Sequence, residues 1–197
     1  ASTIDEVDLA MNTIRHHTQD VVLMQCNTNY TASLENFKYI NLNVLKEYKK
    51  KYPDIILGLS DHTPGHTTVL GAVTLGARVI EKHFTDNTNR DGPDHKFSMD
   101  FYTWKDMVDR TRELESALGS SVKKVEDNEK ETVVLQRRAI RAKHNLVKGG
   151  IITVDDLEFL RPCPADAIQP YEVDRILNKR LIKDIESSEC ITWESIK

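Results

Sequence analysis

The sequence predicts an α/β fold, in which a domain built on a parallel sheet is followed by a smaller mixed or β-rich module. Three observations support this prediction. Short apolar runs alternate with segments of helical spacing up to about residue 119, as in strand–helix–strand crossovers. Each apolar run ends abruptly in polar residues. Beyond a charged stretch, brief apolar segments alternate with turns.

Composition is that of an ordinary globular protein. The chain has 197 residues, 39% hydrophobic and 29% charged, enough for one large or two small cores. Its net charge of −4 argues against a general nucleic-acid surface. No apolar run approaches the roughly 18 residues that cross a bilayer, and the amino terminus lacks a signal-peptide pattern. We therefore expect no membrane association and a cytoplasmic location.

Cysteine usage agrees with that expectation. Cys26, Cys163 and Cys190 are odd in number and widely spaced, without a paired C-x-x-C motif. The pattern predicts reduced thiols, because neither a disulfide framework nor a thiolate zinc site has this spacing.

The first elements are a helix, a strand and a second helix. Thr3, or less favourably Ser2, caps a helix whose apolar stripe is Val7, Ala10, Met11 and Ile14. A buried strand over 21–26 then delivers a polar cluster at its carboxyl end, made of Asn27, Thr28, Asn29 and Tyr30. A helix is predicted from Ser33 up to Pro53, with the apolar members Leu34, Phe37, Leu42, Leu45 and Tyr48.

Two further strands flank a short helix. The strands are predicted at 54–59 and 78–84, and the helix between them at 69–77, with Gly76 as its stop. Side chains of a strand alternate between faces, so Ser60 shares a face with His62, and Glu81 with His83. Because α/β proteins bind ligands at the carboxyl ends of parallel strands, this edge is the predicted site.

Two histidines at neighbouring strand ends indicate a metal site. Neutral histidine is the commonest metal ligand, and His62 with His83 leaves most of the coordination sphere open for water or substrate oxygens. A histidine that merely hydrogen-bonds a loop is the alternative for either residue. Glu81 is expected to be a buried carboxylate that orients metal-bound water. Cations suited to concentrating an anionic substrate are Lys82, Arg90 and Lys96.

The remaining chain contains a loop, a helix and a tail. The loop over 85–95 is rich in turn formers, with Asp94 and His95 as its chemical candidates. A helix from about Thr103 has an apolar stripe of Trp104, Met107, Val108, Thr111, Leu114 and Leu118. The predicted domains are residues 1–119 and 136–197, joined by a charged linker over 120–135.

Four motifs, in this order, resemble the sialic acid synthase family: GLSDHT (58–63), LGA with VIEKHFT (75–85), GPDH (92–95) and RRAIRAK (137–143). The resemblance extends over essentially the whole chain. It implies the carboxyl-terminal part of a TIM (β/α)8 barrel followed by a small β-rich antifreeze-like (SAF) domain. It also implies that the chain is an incomplete fragment, inactive alone. The tail matches the SAF pattern at Arg161, Pro162, Ile168 and Pro170.

The resemblance also implies a function. Members of the family condense phosphoenolpyruvate with an N-acetylated aldehyde sugar such as N-acetylmannosamine and release phosphate, with manganese or magnesium. It assigns His62 and His83 to the metal, Ser60 to phosphoenolpyruvate, and Tyr30 and Asp94 to the sugar. Asn27 and Thr28 fall in a loop that contacts both substrates. The family also forms a domain-swapped homodimer, in which an arginine, here Arg161, contacts the sugar bound by the other subunit.

Other functions remain open. A metal-dependent aldolase or dehydratase on the same barrel would use the two histidines without phosphoenolpyruvate. A non-enzymatic hypothesis is that the tail is a SAF-type binding or ice-binding module, although a charged surface argues against ice binding. Within the family, the sugar is either N-acetylmannosamine or a precursor of legionaminic or pseudaminic acid.

Overall fold

A computed structural model describes residues 1–197 as two compact units, Ala1–Ser120 and Ser121–Lys197. The first unit alternates helices and strands, as predicted for a mixed α/β fold. Its elements are α1 (Ile4–Arg15), β1 (Val22–Cys26), α2 (Val44–Lys51), β2 (Ile56–Asp61), α3 (Thr67–Thr74), β3 (Ala77–Lys82) and α4 (Phe101–Leu118).

The three strands form a parallel sheet in the order β1-β2-β3. One face packs on the helices and buries Leu57 and Leu59, which belong to a core shared with α2, α3 and α4. The opposite face is half open to solvent, with Val22, Ile56 and Val79 at 42%, 51% and 38% exposure. Only one face of this sheet is therefore covered by the helices of the first unit.

Sequence signals located several helix ends correctly. Thr3 caps α1 in a reciprocal capping box with Glu6. Gly76 follows α3 with φ +102°, a conformation that favours glycine, so the predicted stop is confirmed. Helix α4 begins two residues before the predicted start, because Asp100 rather than a later residue caps it.

The single helix predicted from Ser33 is wrong. Residues Leu34–Tyr39 form a 3-10 helix, and α2 begins only at Val44. Asn41 lies between them at φ +51°, in the left-handed region, which interrupts the right-handed path. Asparagine tolerates this conformation better than other residues with a Cβ, so the break has a local cause.

The second unit has little regular structure around its own core. It contains α5 (Lys130–Gln136), which lies in the stretch predicted as a linker, and an antiparallel pair, β4 (Ala139–Ala142) with β5 (Leu157–Leu160). The helix-like segment after Gln169 forms only a 3-10 helix, Pro170–Arg175. The largest fully buried side chains of the second unit are isoleucines, namely Ile140, Ile152, Ile168, Ile176, Ile185 and Ile191.

Two general features complete the fold. The three cysteines are free thiols. No helix is both long enough and apolar enough to cross a bilayer.

Candidate functional site

The candidate site is built by the register of β2 on β3. Asp61, the last residue of β2, pairs with Lys82, the last residue of β3. The next residue of each strand is a histidine, so His62 and His83 lie side by side at the carboxyl edge of the sheet. Their ring centroids are 5.1 Å apart, with the planes at 65°. Two sequence-predicted ligands are therefore neighbours in space.

Two further aromatic rings complete this cluster. Tyr30, delivered by the loop after β1, has its ring centroid 4.2 Å from that of His62 and 5.6 Å from that of His83. Phe97 lies 5.8 Å and 5.0 Å from the same two rings and is 2% exposed. Sequence reasoning missed Phe97 because it follows a loop rich in turn formers. The available signal was an aromatic residue directly after a polar stretch.

The Nδ1 atom of each histidine faces a protein oxygen. His62 Nδ1 lies 2.9 Å from the backbone carbonyl oxygen of Asn27. Because a carbonyl only accepts hydrogen bonds, this Nδ1 is the donor, and in the neutral tautomer with that proton Nε2 carries the lone pair. His83 Nδ1 lies 3.5 Å from Asp94 Oδ2. A carbonyl or carboxylate behind Nδ1 is how metal-binding histidines are oriented in proteins.

The donor set fits a catalytic rather than a structural metal ion. Histidine binds divalent metals through the lone pair of a neutral imidazole, and an imidazole that donates from Nδ1, as His62 does to the Asn27 carbonyl, binds through Nε2. No group of three or more His, Cys, Asp or Glu side chains in residues 1–197 has the arrangement of a metal site. The protein part of a site here would be two nitrogens, which leaves positions for water and substrate oxygens.

Ser60 and Glu81 meet two residues before the histidines, on the same face of the sheet. They are register partners, and Ser60 Oγ donates to Glu81 Oε1 at 2.8 Å. The prediction that Glu81 is a buried carboxylate is wrong, because its side chain lies on the solvent-open face of the sheet. Its carboxylate nevertheless sits on the histidine side of the sheet, as strand alternation predicts.

Lys82 was predicted as a cation for an anionic substrate, and its environment contradicts this. Strand alternation turns it to the helix-covered face, where Nζ donates to Asp61 Oδ2 and to the Thr63 carbonyl, each at 2.6 Å. Its side chain is 1% exposed. Of the other two cations, Arg90 pairs with Asp86 at 2.8 Å, and both Arg90 and Lys96 line an open cleft in the loop over 88–96.

Comparison with known proteins identifies the family. A model described as the NeuB family matches residues 1–123, and one described as the SAF domain matches residues 137–197. The chain belongs to the NeuB family. It is thus a sialic acid synthase family protein with a SAF domain, as the four motifs indicated.

The similar proteins carry related names. The N,N'-diacetyllegionaminic acid synthase of Legionella pneumophila is 36% identical over 199 residues, which cover 98% of this chain and 54% of that protein. The pseudaminic acid synthase of Campylobacter jejuni is 33% identical over 172 residues, covering 87% and 48%. The crystal structure of spore coat polysaccharide biosynthesis protein SpsE from Bacillus subtilis is 30% identical with a TM-score of 0.55, covering 100% of this chain and 59% of that one. The chain spans about half the length of the curated relatives it matches.

The loop after β1 holds the other predicted substrate residues of this NeuB-family chain. Asn27 is fixed by its side chain, whose Nδ2 donates to the Tyr39 carbonyl at 3.1 Å and whose Oδ1 accepts from the Asn29 amide at 3.1 Å. Asn27 and the exposed Thr28 line a cavity of about 740 Å³ beside β1. That cavity does not include His62 or His83 in its wall.

The loop after β3 returns the chain to the site. Asp94 contacts His83 as described, whereas His95 Nδ1 lies 2.8 Å from Thr85 Oγ1 and so ties the two ends of the loop together. The Ser98 hydroxyl donates to the Asp94 carbonyl at 2.6 Å. Of the two candidates in GPDH, Asp94 is therefore the one placed against the histidines.

Arg161 belongs to the SAF unit. It follows the last residue of β5, is exposed, and makes no hydrogen bond or ion pair through its guanidinium.

Proposed function

We propose that the protein is a nonulosonate synthase, which condenses phosphoenolpyruvate with an N-acetylated aldehyde sugar and releases phosphate. The third carbon of phosphoenolpyruvate attacks the aldehyde carbon, water adds at the second carbon, and the carbon–oxygen bond to phosphate breaks. The observation that carries the proposal is the adjacent pair His62 and His83, each with an oxygen behind Nδ1. The names of the relatives support the same reaction class.

The proposal includes a divalent metal, manganese in preference to magnesium, held by His62 and His83. When bound, such an ion polarises a carbonyl and aligns two substrates. The imidazole nitrogens favour manganese, since magnesium prefers an all-oxygen shell. The hydrogen bond from His62 Nδ1 to the Asn27 carbonyl leaves Nε2 for the metal, and the Asp94 carboxylate lies 3.5 Å from His83 Nδ1.

The neighbouring polar groups receive the remaining roles. Ser60, on the histidine side of the sheet, is the proposed ligand of phosphoenolpyruvate, and Glu81, its hydrogen-bond partner, orients water at the reaction centre. Tyr30 and Asp94 contact the sugar, because both lie against the histidine rings. The proposal also includes a TIM-barrel context for the first unit and a cytoplasmic location.

The loop and tail residues complete the proposal. Asn27 and Thr28 contact the substrates from the loop after β1. We further propose a homodimer, as the family resemblance implies, with Arg161 binding the sugar held by the partner subunit. Arg161 is exposed, which leaves its guanidinium accessible to a ligand.

The test is phosphate release by the full-length protein. It is measured with phosphoenolpyruvate and a panel of sugars, namely N-acetylmannosamine and the precursors of legionaminic and pseudaminic acids, with and without Mn²⁺. We expect metal-dependent release with one sugar, reduced more than about 100-fold in both His62→Ala and His83→Ala. His17→Ala, at an exposed position beyond α1, is the matched control and retains full activity.

A direct readout of metal binding accompanies the assay. The free Mn²⁺ signal in electron paramagnetic resonance is expected to fall on titration with wild-type protein but not with either histidine variant. Release that survives both substitutions would remove the histidines from the metal site. Carbon–carbon cleavage without phosphate release would favour the aldolase alternative.

A further inference from the structure

The RRAIRAK motif has no role in the proposed reaction, although it is one of the four motifs that mark the family. Its residues lead into and form β4 of the SAF unit, where Ala139 pairs with Leu160 and Arg141 with Glu158 of β5. The motif therefore lies beside the strand that ends one residue before Arg161. This placement raises the question of what its arginines contact.

Two arginines of the motif donate to backbone carbonyls on either side of Arg161. Arg138 Nη1 donates to the Phe159 carbonyl at 2.8 Å. Arg141 Nη2 donates to the Pro162 carbonyl at 2.9 Å, and its Nη1 donates to the Ser188 carbonyl at 2.7 Å. Arg141 thus joins the segment after Arg161 to a second, sequence-distant segment.

A backbone bond fixes the same segment from another direction. The Cys163 amide donates to the Val134 carbonyl of α5 at 2.9 Å, and the Cys163 side chain is buried. The peptide units 159–160 and 162–163, on either side of Arg161, are therefore held by α5, by β4 and by Arg138 just before β4. The guanidinium of Arg161 itself remains exposed and unpaired.

The three guanidinium nitrogens of Arg141 have different environments. Its Nε atom is buried without a hydrogen-bond partner. A buried, unpaired donor is unfavourable, so the bonds made by the other guanidinium nitrogens must hold the side chain in this position. The two terminal nitrogens, in contrast, bridge two carbonyls, which the planar guanidinium fork does and a lysine ammonium on one flexible stem does not.

We propose that Arg138 and Arg141 are positioning residues, which hold the backbone around Arg161 so that its free guanidinium is presented in one orientation to the sugar substrate. The inference rests on the proposed function for the role of Arg161. A fixed backbone lowers the entropy lost when an exposed arginine engages a ligand. Although residue 141 does not itself contact the sugar in this proposal, Arg141→Lys should therefore weaken sugar binding.

Hydrogen exchange tests the structural half of the proposal. Residues 162 and 164 are prolines, so the amide of Cys163 is the only backbone amide between them. We expect this amide to exchange at least about fivefold faster in Arg141→Lys than in wild type, because the Pro162 carbonyl loses its hydrogen bond from Arg141. The control is Arg180→Lys, which removes another arginine–carbonyl bond of the same unit, from Arg180 Nη1 to the Gly149 carbonyl at 2.6 Å.

Steady-state kinetics of the full-length protein tests the functional half. Arg141→Lys is expected to raise the KM for the sugar roughly fivefold, with kcat and the KM for phosphoenolpyruvate unchanged. Arg180→Lys should change none of these. In an Arg161→Ala background, Arg141→Lys should have no further effect on the sugar KM, because a positioning residue acts only through the residue it positions.

Each result has a defined meaning. Unchanged exchange of the Cys163 amide in Arg141→Lys would overturn the proposal, whatever the activity. Additive effects of Arg141→Lys and Arg161→Ala on the sugar KM would also overturn it. If no sugar supports phosphate release, the proposed function fails, while the exchange result still decides whether the two arginines fix this segment.

Discussion

Asp61 and Lys82 form an ion pair that is almost fully enclosed, with side-chain exposures of 0% and 1%. The pair is embedded in hydroxyls, since the Thr63 and Thr68 hydroxyls both donate to the Asp61 carboxylate. Each partner directly precedes one of the two histidines. The pair therefore locks the register of β2 on β3 at the point where the candidate site begins.

Removing one partner of this pair is expected to be costly. Lys82→Met should lower the free energy of unfolding by about 3–5 kcal/mol, because it leaves the Asp61 charge buried and unpaired. The double variant Asp61→Asn with Lys82→Met should cost less than Lys82→Met alone, since no charge remains buried. Chemical denaturation followed by circular dichroism measures both. A loss below about 1 kcal/mol in Lys82→Met would contradict the enclosed pair.

At the residue scale, strand alternation predicted much of the site. The period of two placed Ser60 with His62 and Glu81 with His83, and the structure has all four on one side of the sheet edge. Alternation does not say which face is covered. For this reason Lys82 was taken for an available cation and Glu81 for a buried acid, and both assignments were wrong.

At the element scale, short capping turns organise the SAF unit. Asp156 closes the 3-10 turn Val154–Asp156 by accepting bonds from the Thr153 amide and hydroxyl, each at 2.7 Å. The hydroxyl bond is the main cause that lowers the pKa of Asp156, and the nearby His144 assists. The ionised carboxylate is thus the form that holds the turn before β5.

The lowered pKa of Asp156 predicts a pH dependence. Because the folded-state pKa lies below the unfolded value of about 3.9, the stabilisation is present above that pH and is lost as pH falls through the folded pKa. Asp156→Asn should lower the free energy of unfolding by about 1 kcal/mol at pH 7. The difference from wild type should shrink steadily below about pH 4 in denaturation series.

A neighbouring carboxylate provides the control for this experiment. Asp155 is exposed in the same turn, and Asp155→Asn should change the free energy of unfolding by less than about 0.5 kcal/mol at any pH. A pH-independent loss in Asp156→Asn would mean that packing, rather than ionisation, explains its effect.

Helix boundaries illustrate how far local signals reach. The Thr3 cap and the Gly76 stop were readable because each depends on residues within one turn. The break at Asn41 was not, because an apolar spacing compatible with one helix continues across it. A 3-10 helix and α2 share that stripe, so the spacing alone does not distinguish one helix from two.

At the scale of the whole molecule, the chain consists of two compact units with separate cores. Residues 115–132, which include their junction, are exposed throughout. Exposed junctions between compact units are preferred sites of proteolysis.

Limited trypsin digestion should therefore cut first at Lys123 or Lys124. Mass spectrometry of the earliest fragments is expected to find one product ending at these residues and one beginning just after them. Replacing both lysines with glutamine should delay the first cut. First cuts at Arg90, in the loop after β3, would show that this loop rather than the junction is the most accessible segment.

The sequence by itself determined the α/β character, the family motifs and the placement of two histidines at the ends of adjacent strands. These features follow from local periodicity and from the rule that parallel strands end at one edge. The tertiary structure alone decided that Phe97 packs on both histidines, that Lys82 is enclosed with Asp61, and that Arg138 and Arg141 flank Arg161. Such contacts join residues far apart along the chain, and their partners are chosen by the packing of whole elements, which no local pattern records.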